Sequence, residues 1–359
     1  MIQMDSKVKR KKQLLNYFNG RRNQFKEWLK RQMPEKDVLS VDGFLLPTEG
    51  LANVTLIADI LKADGEREKI VIRVAPAPEF RVLPFYDIGR QYAVLKALSR
   101  AAKIKVPMVY GYEKNTDILG EEFYVMHYVA GDTPSLNPPY PRSGFVAEST
   151  PSERRKLWLN GLAALAEIHK IDTADPVLTT LNGALPGASS VSSNLAWYET
   201  LLLTDCAAIK NDTALRALDV LKKEIPDNLD SRICWGDARL GNLIFLNNEV
   251  AAVIDWEMAS LGDSAQDVGW WLFFDKSLHW RLPQLPGMPS YDESVAFYEN
   301  CVGKKLQNLA YHELFAGFRL SCLQIFEANL RLRAGDWSVG QANVILSCSP
   351  ALKLLRSFL

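Results

Sequence analysis

The chain has 359 residues, 48% hydrophobic and 23% charged, which excludes disordered and fibrous classes and leaves room for two domains. Lys+Arg and Asp+Glu both total 42, so no overall field marks the molecule as a nucleic-acid binder. The cysteines (Cys206, Cys234, Cys301, Cys322 and Cys348) are odd in number and form no C-x-x-C pair, which argues against a disulfide framework or zinc cluster and fits a reducing cytoplasm.

Residues 1–36 carry eight more basic than acidic groups. Within 7–33, Leu14, Leu15, Tyr17, Phe18, Phe25, Trp28 and Leu29 form a helical stripe that Pro34 closes. A solvated amphipathic helix is expected; a membrane-surface or partner-binding helix is the other reading. There is no signal-type apolar core near the start, and the longest apolar run, near Val268–Phe274, is too short to span a bilayer.

A β-rich region, 37–130, follows. "GFLLPTEG" (43–50), "NVTLIADILKA" (53–63) and "EKIVIRVAP" (68–76) predict three strands, with "ADGERE" turning between the last two. "DIGRQYAVLKALSRA" (87–101) has helical period, and "VPMVYGYE" and "EEFYVMHYVAG" predict two more strands. The Pro/Gly-rich stretch 131–144 reads as a linker or cover loop.

From there to residue 359 the pattern is mainly helical. A helix over 151–171 opens with Ser152 as cap and Glu153 in the first turn; others are expected near 193–203, 211–224, 264–276, 290–302, 308–333 and 338–357. A strand–loop–strand island occupies 232–256. The expected class is α+β: a small antiparallel sheet with one inserted helix, then a larger helical part, and a ligand cleft between them.

The island carries the chemistry. A strand (Arg232–Trp235) leads into Gly236-Asp237, the chain turns to Asn242, and a hairpin returns to Asp255. Two carboxylates and an amide are hard oxygen donors, of the kind Mg²⁺ takes in partial sets beside substrate phosphates. No G-x-x-x-x-G-K-[ST], G-x-S-x-G, H-E-x-x-H or G-x-G-x-x-G stretch offers another template. His127, His279 and His312 have no metal-binding spacing, and His169, ending "LAEIH", reads as structural.

"GDARLGNLIF…AAVIDWEMASLGD" resembles the G-D-x-x-x-x-N…I-D-W pattern of the aminoglycoside phosphotransferase and choline kinase group, which has the protein-kinase-like fold. The resemblance covers roughly residues 40–330. "WGDARLGN" with "RVAPAP" is similar to a bacterial branch related to kinase-like domains attached to acyl-CoA dehydrogenases.

The resemblance implies a bilobal molecule and a set of roles. Asp237 would orient the acceptor hydroxyl and take its proton, and Arg239 would face the transferred phosphate. Asn242 and Asp255 would hold the metal. Arg73 stands where the group has Lys and would clamp the nucleotide phosphates; Lys69, on the same strand face, is the alternative. Gln91 stands where Glu normally pairs that cation, and Asp87 is a candidate substitute. The loop 48–55, with Gly50 and backbone N–H groups through Asn53, would cover the phosphates, and Met126–Tyr128 would meet the base. Asp263 and Asp267 would brace the loop.

Trp235 departs from the usual histidine. An imidazole there would hydrogen-bond the loop from behind, whereas an indole donates one bond and accepts none. The implied activity is ATP- or GTP-dependent, Mg²⁺-assisted phosphorylation of a small-molecule hydroxyl, with no nucleic-acid partner and no transmembrane segment. A nucleotide-binding pseudokinase or regulatory module is the other reading.

Overall fold

The structure is a computed structural model that describes residues 13–47, 54–76, 81, 84, 86–100, 104–172, 191–227 and 229–359. Two compact units divide it: Met1–Val82, Tyr86–Lys96 and Pro107–Val129, and Leu83–Phe85, Ala97–Val106 and Ala130–Leu359.

In the first unit, α1 (Arg22–Gln32) precedes β1 (Val38–Val41), β2 (Val54–Lys62) and β3 (Arg67–Val74); α2 (Ile88–Leu98) begins in this unit, and β4 (Val109–Glu113) and β5 (Phe123–His127) complete it. The sheet order is β1-β2-β3-β5-β4, every pair antiparallel. The period of two sorts its residues. Leu56, Ala58, Ile60, Ile70, Ile72, Val74, Phe123 and Val125 form a buried face with Phe25, Trp28 and Leu29 of α1. Trp28 and Phe123 meet edge to face with ring centroids 4.8 Å apart. The helix expected over 7–33 is broken at Gly20-Arg21 into stretches over 13–19 and Arg22–Gln32, and the apolar side of the second packs into the sheet's core.

The expected strand at 43–50 is corrected. The first strand is Val38–Val41, and Leu45 keeps only a single bridge to Ile57. Gly43 has no side chain to pack and Pro47 has no N–H to donate, so a ladder does not extend through them. Residues 48–50 lie outside the described residues.

Among the described residues of the second unit, the helices longer than a single turn are α3 (Pro151–His169), α4 (Val191–Thr200), α5 (Asp212–Lys223), α6 (Ala265–Leu278), α7 (Tyr291–Val302), α8 (Leu309–Arg333), α9 (Val339–Cys348) and α10 (Pro350–Arg356), with one short turn of helix at Phe145–Glu148 before them. Two further expectations change here. The cap of α3 is Thr150, not Ser152: Pro151 takes the first helical position, and Thr150 forms a reciprocal capping box with Glu153. The single helix expected over 338–357 is two, because Pro350 disfavours helical backbone at Ser349, whose hydroxyl caps the second helix instead. No helix among the described residues is long and apolar enough to cross a membrane.

Four short strands hold the island. β6 (Arg232–Cys234) pairs with β9 (Ser260–Gly262), a strand too short to register in the sequence pattern. β7 (Leu243–Leu246) pairs with β8 (Glu249–Val253). The 131–144 stretch is tied to this hairpin by reciprocal backbone bonds between Asp132 and Phe245, 2.8 and 2.9 Å.

Candidate active site

The loop after β6 is built around Gly236. Its φ is +91°, and a Cβ there would lie 2.1 Å from the Met258 carbonyl oxygen, so no other residue fits. Trp235 is fully buried and its Nε1–H donates to the Ile254 carbonyl at 2.9 Å. Behind the loop stands Asp267, fully buried near the start of α6. Its carboxylate accepts the Trp235 N–H at 2.5 Å and the Gly236 N–H at 2.9 Å. His169, at the end of α3, reaches Asp267 through Nε2 at 3.1 Å and the Tyr298 hydroxyl through Nδ1 at 2.5 Å. Helices α3, α6 and α7 thus grip the backbone just before Asp237.

Asp237 receives three N–H donors. Arg239 Nε and Asn242 Nδ2 reach Oδ2 at 2.9 and 2.7 Å, and Trp270 Nε1 reaches Oδ1 at 2.9 Å. A carboxylate has about four lone-pair sites, so about one stays open to a further donor, as an acceptor hydroxyl would be. Asn242 is buried, and its amide also donates to the Asp237 carbonyl at 3.0 Å. The guanidinium of Arg239 lies 5.3 Å from the Phe274 ring centroid.

The hairpin brings Asp255 to the loop. Its ladder pairs Leu243 with Val253, and the Ile254 N–H continues it to the Asn242 carbonyl at 3.0 Å. Asp255 follows with left-handed backbone, φ +64°. With Nδ2 of Asn242 turned to Asp237, its Oδ1 is left as a hard oxygen donor, and Asp255 follows directly on the Ile254–Asn242 backbone bond. No group of three His, Cys, Asp or Glu side chains among the described residues could hold a metal ion. One carboxylate with one amide is nonetheless a chemically suitable partial set for Mg²⁺ that keeps waters and phosphate oxygens as its other ligands.

In the first unit, Arg73 pairs across β3–β5 with Tyr124, and Val71 with Met126, so these side chains share the sheet face opposite α1. Lys69 is on that face too, 5.5 Å from the Tyr128 ring centroid. Arg73 Nη1 donates to Thr55 Oγ1 at 3.0 Å. Helix α2 meets the same face through Tyr92, stacked on Tyr112. Gln91 is buried, while Asp87 caps α2 through the Arg90 N–H at 2.8 Å, which makes it a capping residue in this structure. The N–H groups of His127 and Tyr128 are used by the Met108 and Lys69 carbonyls. Gly50 and Asn53 lie outside the described residues.

Two residues at the loop escaped sequence reasoning. Trp270 sits one helical turn after Asp267, so a D-x-x-W spacing on the island's next helix was the available signal. Arg319, buried on the long helix α8, donates to the Gly236 carbonyl at 3.4 Å. Nothing in the local sequence around Arg319 marks it.

His312 lies near this cluster, fully buried with neither ring nitrogen hydrogen-bonded. Burial pushes its pKa down to about 4 from 6.5; Asp263 opposes the shift and Arg319 adds to it. The folded chain therefore keeps the ring neutral where the unfolded chain begins to protonate it. The resulting stability is present above about pH 6.5, declines as pH falls toward 4 and is gone below that, a loss on the order of 3 kcal/mol. His312→Met is expected to flatten the pH dependence of Tm over this interval. A variant as acid-labile as the parent would show that the loss originates elsewhere.

The model of the phosphotransferase enzyme family matches residues 60–291. Acyl-CoA dehydrogenase family member 11 of Homo sapiens is 27% identical over 232 residues, covering 61% of this chain and 28% of that protein, so this chain spans only about a quarter of its relative's length. A crystal structure of a candidate aminoglycoside phosphotransferase from Ralstonia eutropha matches with TM-score 0.68 and 19% identity, over 92% of this chain and 97% of that one. A thermostable mutant of aminoglycoside phosphotransferase APH(4)-Ia, solved as a ternary complex with AMP-PNP and hygromycin B, matches with TM-score 0.54 and 16% identity, over 92% and 98%. The fold is the expected α+β, protein-kinase-like one.

Proposed function

The chain belongs to the phosphotransferase enzyme family, and on that premise we propose that it transfers the terminal phosphoryl group of ATP or GTP to a hydroxyl of a small molecule in the cytoplasm. The observation that supports this reading is the loop itself: Asp237 held by Asn242, and the Ile254–Asn242 backbone bond one residue before Asp255. Asp237 orients the acceptor hydroxyl and takes its proton as the oxygen bonds to phosphorus and the nucleoside diphosphate leaves. Arg239 places a cation beside that carboxylate, where phosphate charge would develop. Asn242 and Asp255 would hold Mg²⁺, which would supply neutralisation of phosphate charge.

Arg73 binds the nucleotide phosphates. Met126 and Tyr128 supply side-chain surface to the base, since the His127 and Tyr128 N–H groups are already used within the sheet. A small cavity beside Arg239 and Gly241 is lined by Leu136, Phe274 and Leu278, with Asp275 as its one carboxylate. Its volume of about 10 Å³ admits a water molecule and not the body of an acceptor, so the acceptor class is left to screening.

Titration with ATP and GTP, with and without Mg²⁺, followed by turnover against panels of apolar and cationic hydroxyl compounds, tests the reading. Binding without any transfer would support the pseudokinase instead. Arg73→Ala is expected to weaken nucleotide affinity about tenfold to a hundredfold, the value of a charge-assisted bond of about 1.5–3 kcal/mol, with Arg73→Lys keeping most of it. Unchanged affinity in Arg73→Ala would remove Arg73 from the site.

A further inference from the structure

Arg319 is 7% exposed and forms no ion pair among the described residues. Its Nε is buried without a hydrogen-bond partner, and its neighbours are aromatic: Cζ lies 4.8 Å from the Trp270 ring centroid and 5.5 Å from that of Phe315, and its charge and hydrogen bonding act on the buried Tyr198 hydroxyl, opposing the upward pKa shift that burial gives it. A buried guanidinium without a carboxylate is costly, so its place needs a reason. Two contacts supply one. Nη2 donates to the carbonyl of Gly236, the residue before Asp237, and the indole beneath the cation donates its Nε1–H to Asp237 Oδ1 at 2.9 Å.

The Trp235 indole has one donor and directs it to the carbonyl of Ile254, the residue before Asp255, and not to the Gly236–Asp237 segment. We infer that Arg319 and Trp270 form a positioning unit for the loop, fixing it at the Gly236 carbonyl and the Asp237 carboxylate together. The cation over the ring also draws π density from the indole, which polarises its N–H and strengthens the bond to Asp237. The two residues come from facing helices, α6 and α8, whose close approach at Gly269 brings them together: a Cβ there would lie 2.8 Å from the His312 carbonyl carbon. Arg319 and Trp270 are positioning residues. Neither is assigned contact with the reacting atoms.

The inference rests on the phosphotransferase reading for its kinetic consequence, but its physical core has a readout that needs no substrate. In protein labelled with ¹⁵N at tryptophan, the indole signal missing in Trp270→Phe identifies Trp270. In Arg319→Met that signal is expected to move upfield, as a weakened hydrogen bond does. Arg319→Lys should keep the charge but lose the planar stack, giving a smaller shift. Where an acceptor is in hand, Arg319→Met should lower kcat about tenfold with nucleotide KM within about twofold, and Arg319→Lys should recover part of the loss. An unmoved Trp270 signal in both Arg319 variants overturns the inference, as does a rise in KM at unchanged kcat. If the parent shows no transfer at all, the functional reading fails while the indole shift still decides the positioning unit. If Arg319→Met does not fold, the Arg319→Lys spectrum decides it.

Discussion

Asp237→Asn is expected to lower phosphoryl transfer by about 10²–10⁴-fold, the usual worth of a positioned general base, while leaving nucleotide affinity within a few-fold. The substitution is nearly isosteric, so its effect comes from charge and from the direction of hydrogen bonds. Asp237 accepts from Arg239, Asn242 and Trp270, all donors. Asparagine offers one acceptor oxygen and an NH₂ group that must face at least one of them. An NH₂ turned toward Arg239 and Asn242 meets two donors, and one turned toward Trp270 leaves the indole unsatisfied. The conflict costs about 1–3 kcal/mol, which for a chain of this size lowers Tm by a few degrees without unfolding it. The experiment is steady-state turnover on an acceptor found by screening, with nucleotide affinity and Tm measured alongside. Turnover within a few-fold of the parent would mean that Asp237 does not take the acceptor proton, and the reading of the loop would fail with it.

The geometry of this loop was legible because its residues are local. Asp237, Asn242 and Asp255 lie within nineteen positions, and two short turns are enough to bring them together. The sheet was legible for a similar reason. β2 and β3 alternate over eight or nine residues, long enough for a period of two to stand out, and the helix between β3 and β4 has its own 3.6 period. β1 and β9, at four and three residues, are too short to show any period.

The support of the loop was less legible, because it is tertiary. Asp267 could be suspected of bracing it, but its bonds to the Trp235 and Gly236 N–H groups depend on where α6 begins relative to β6. Arg319 lies more than eighty positions from Gly236, and only the packing of α8 on α6 brings it there. The caps erred for a local reason that propensity alone misjudges. Ser152 is a good cap by type, yet Pro151 at the first helical position commits Thr150 to extended backbone and so to the cap. The departure at Trp235 was visible as an oddity, and its consequence became readable only once its indole was seen bonded to Ile254 rather than to the loop.

The second large effect is expected at Asp267, where stability and turnover should fall together. Asp267→Ala strips the acceptor from the Trp235 and Gly236 N–H groups, both buried, and from His169. Leaving such groups unsatisfied and breaking their network costs about 3–5 kcal/mol, a Tm decrease of about 4–7 °C for a chain of this size. Asp267→Asn should fall between, because its single acceptor oxygen can serve one N–H while its NH₂ faces the other. His169 is the informative partner. It touches Asp267 on one side and Tyr298 on the other, so His169→Ala should cost less alone. Combined with Asp267→Ala it should cost less than the sum, with a coupling of about 0.5–3 kcal/mol. Chemical denaturation of the two single variants and the double variant measures that coupling directly. Strict additivity would mean that His169 does not orient Asp267, leaving the carboxylate held by the loop it was thought to hold. A coupling accompanied by lost turnover in both single variants would instead establish that α3, α6 and α7 set the backbone before Asp237, and that the catalytic geometry is maintained by a buried network remote from any substrate.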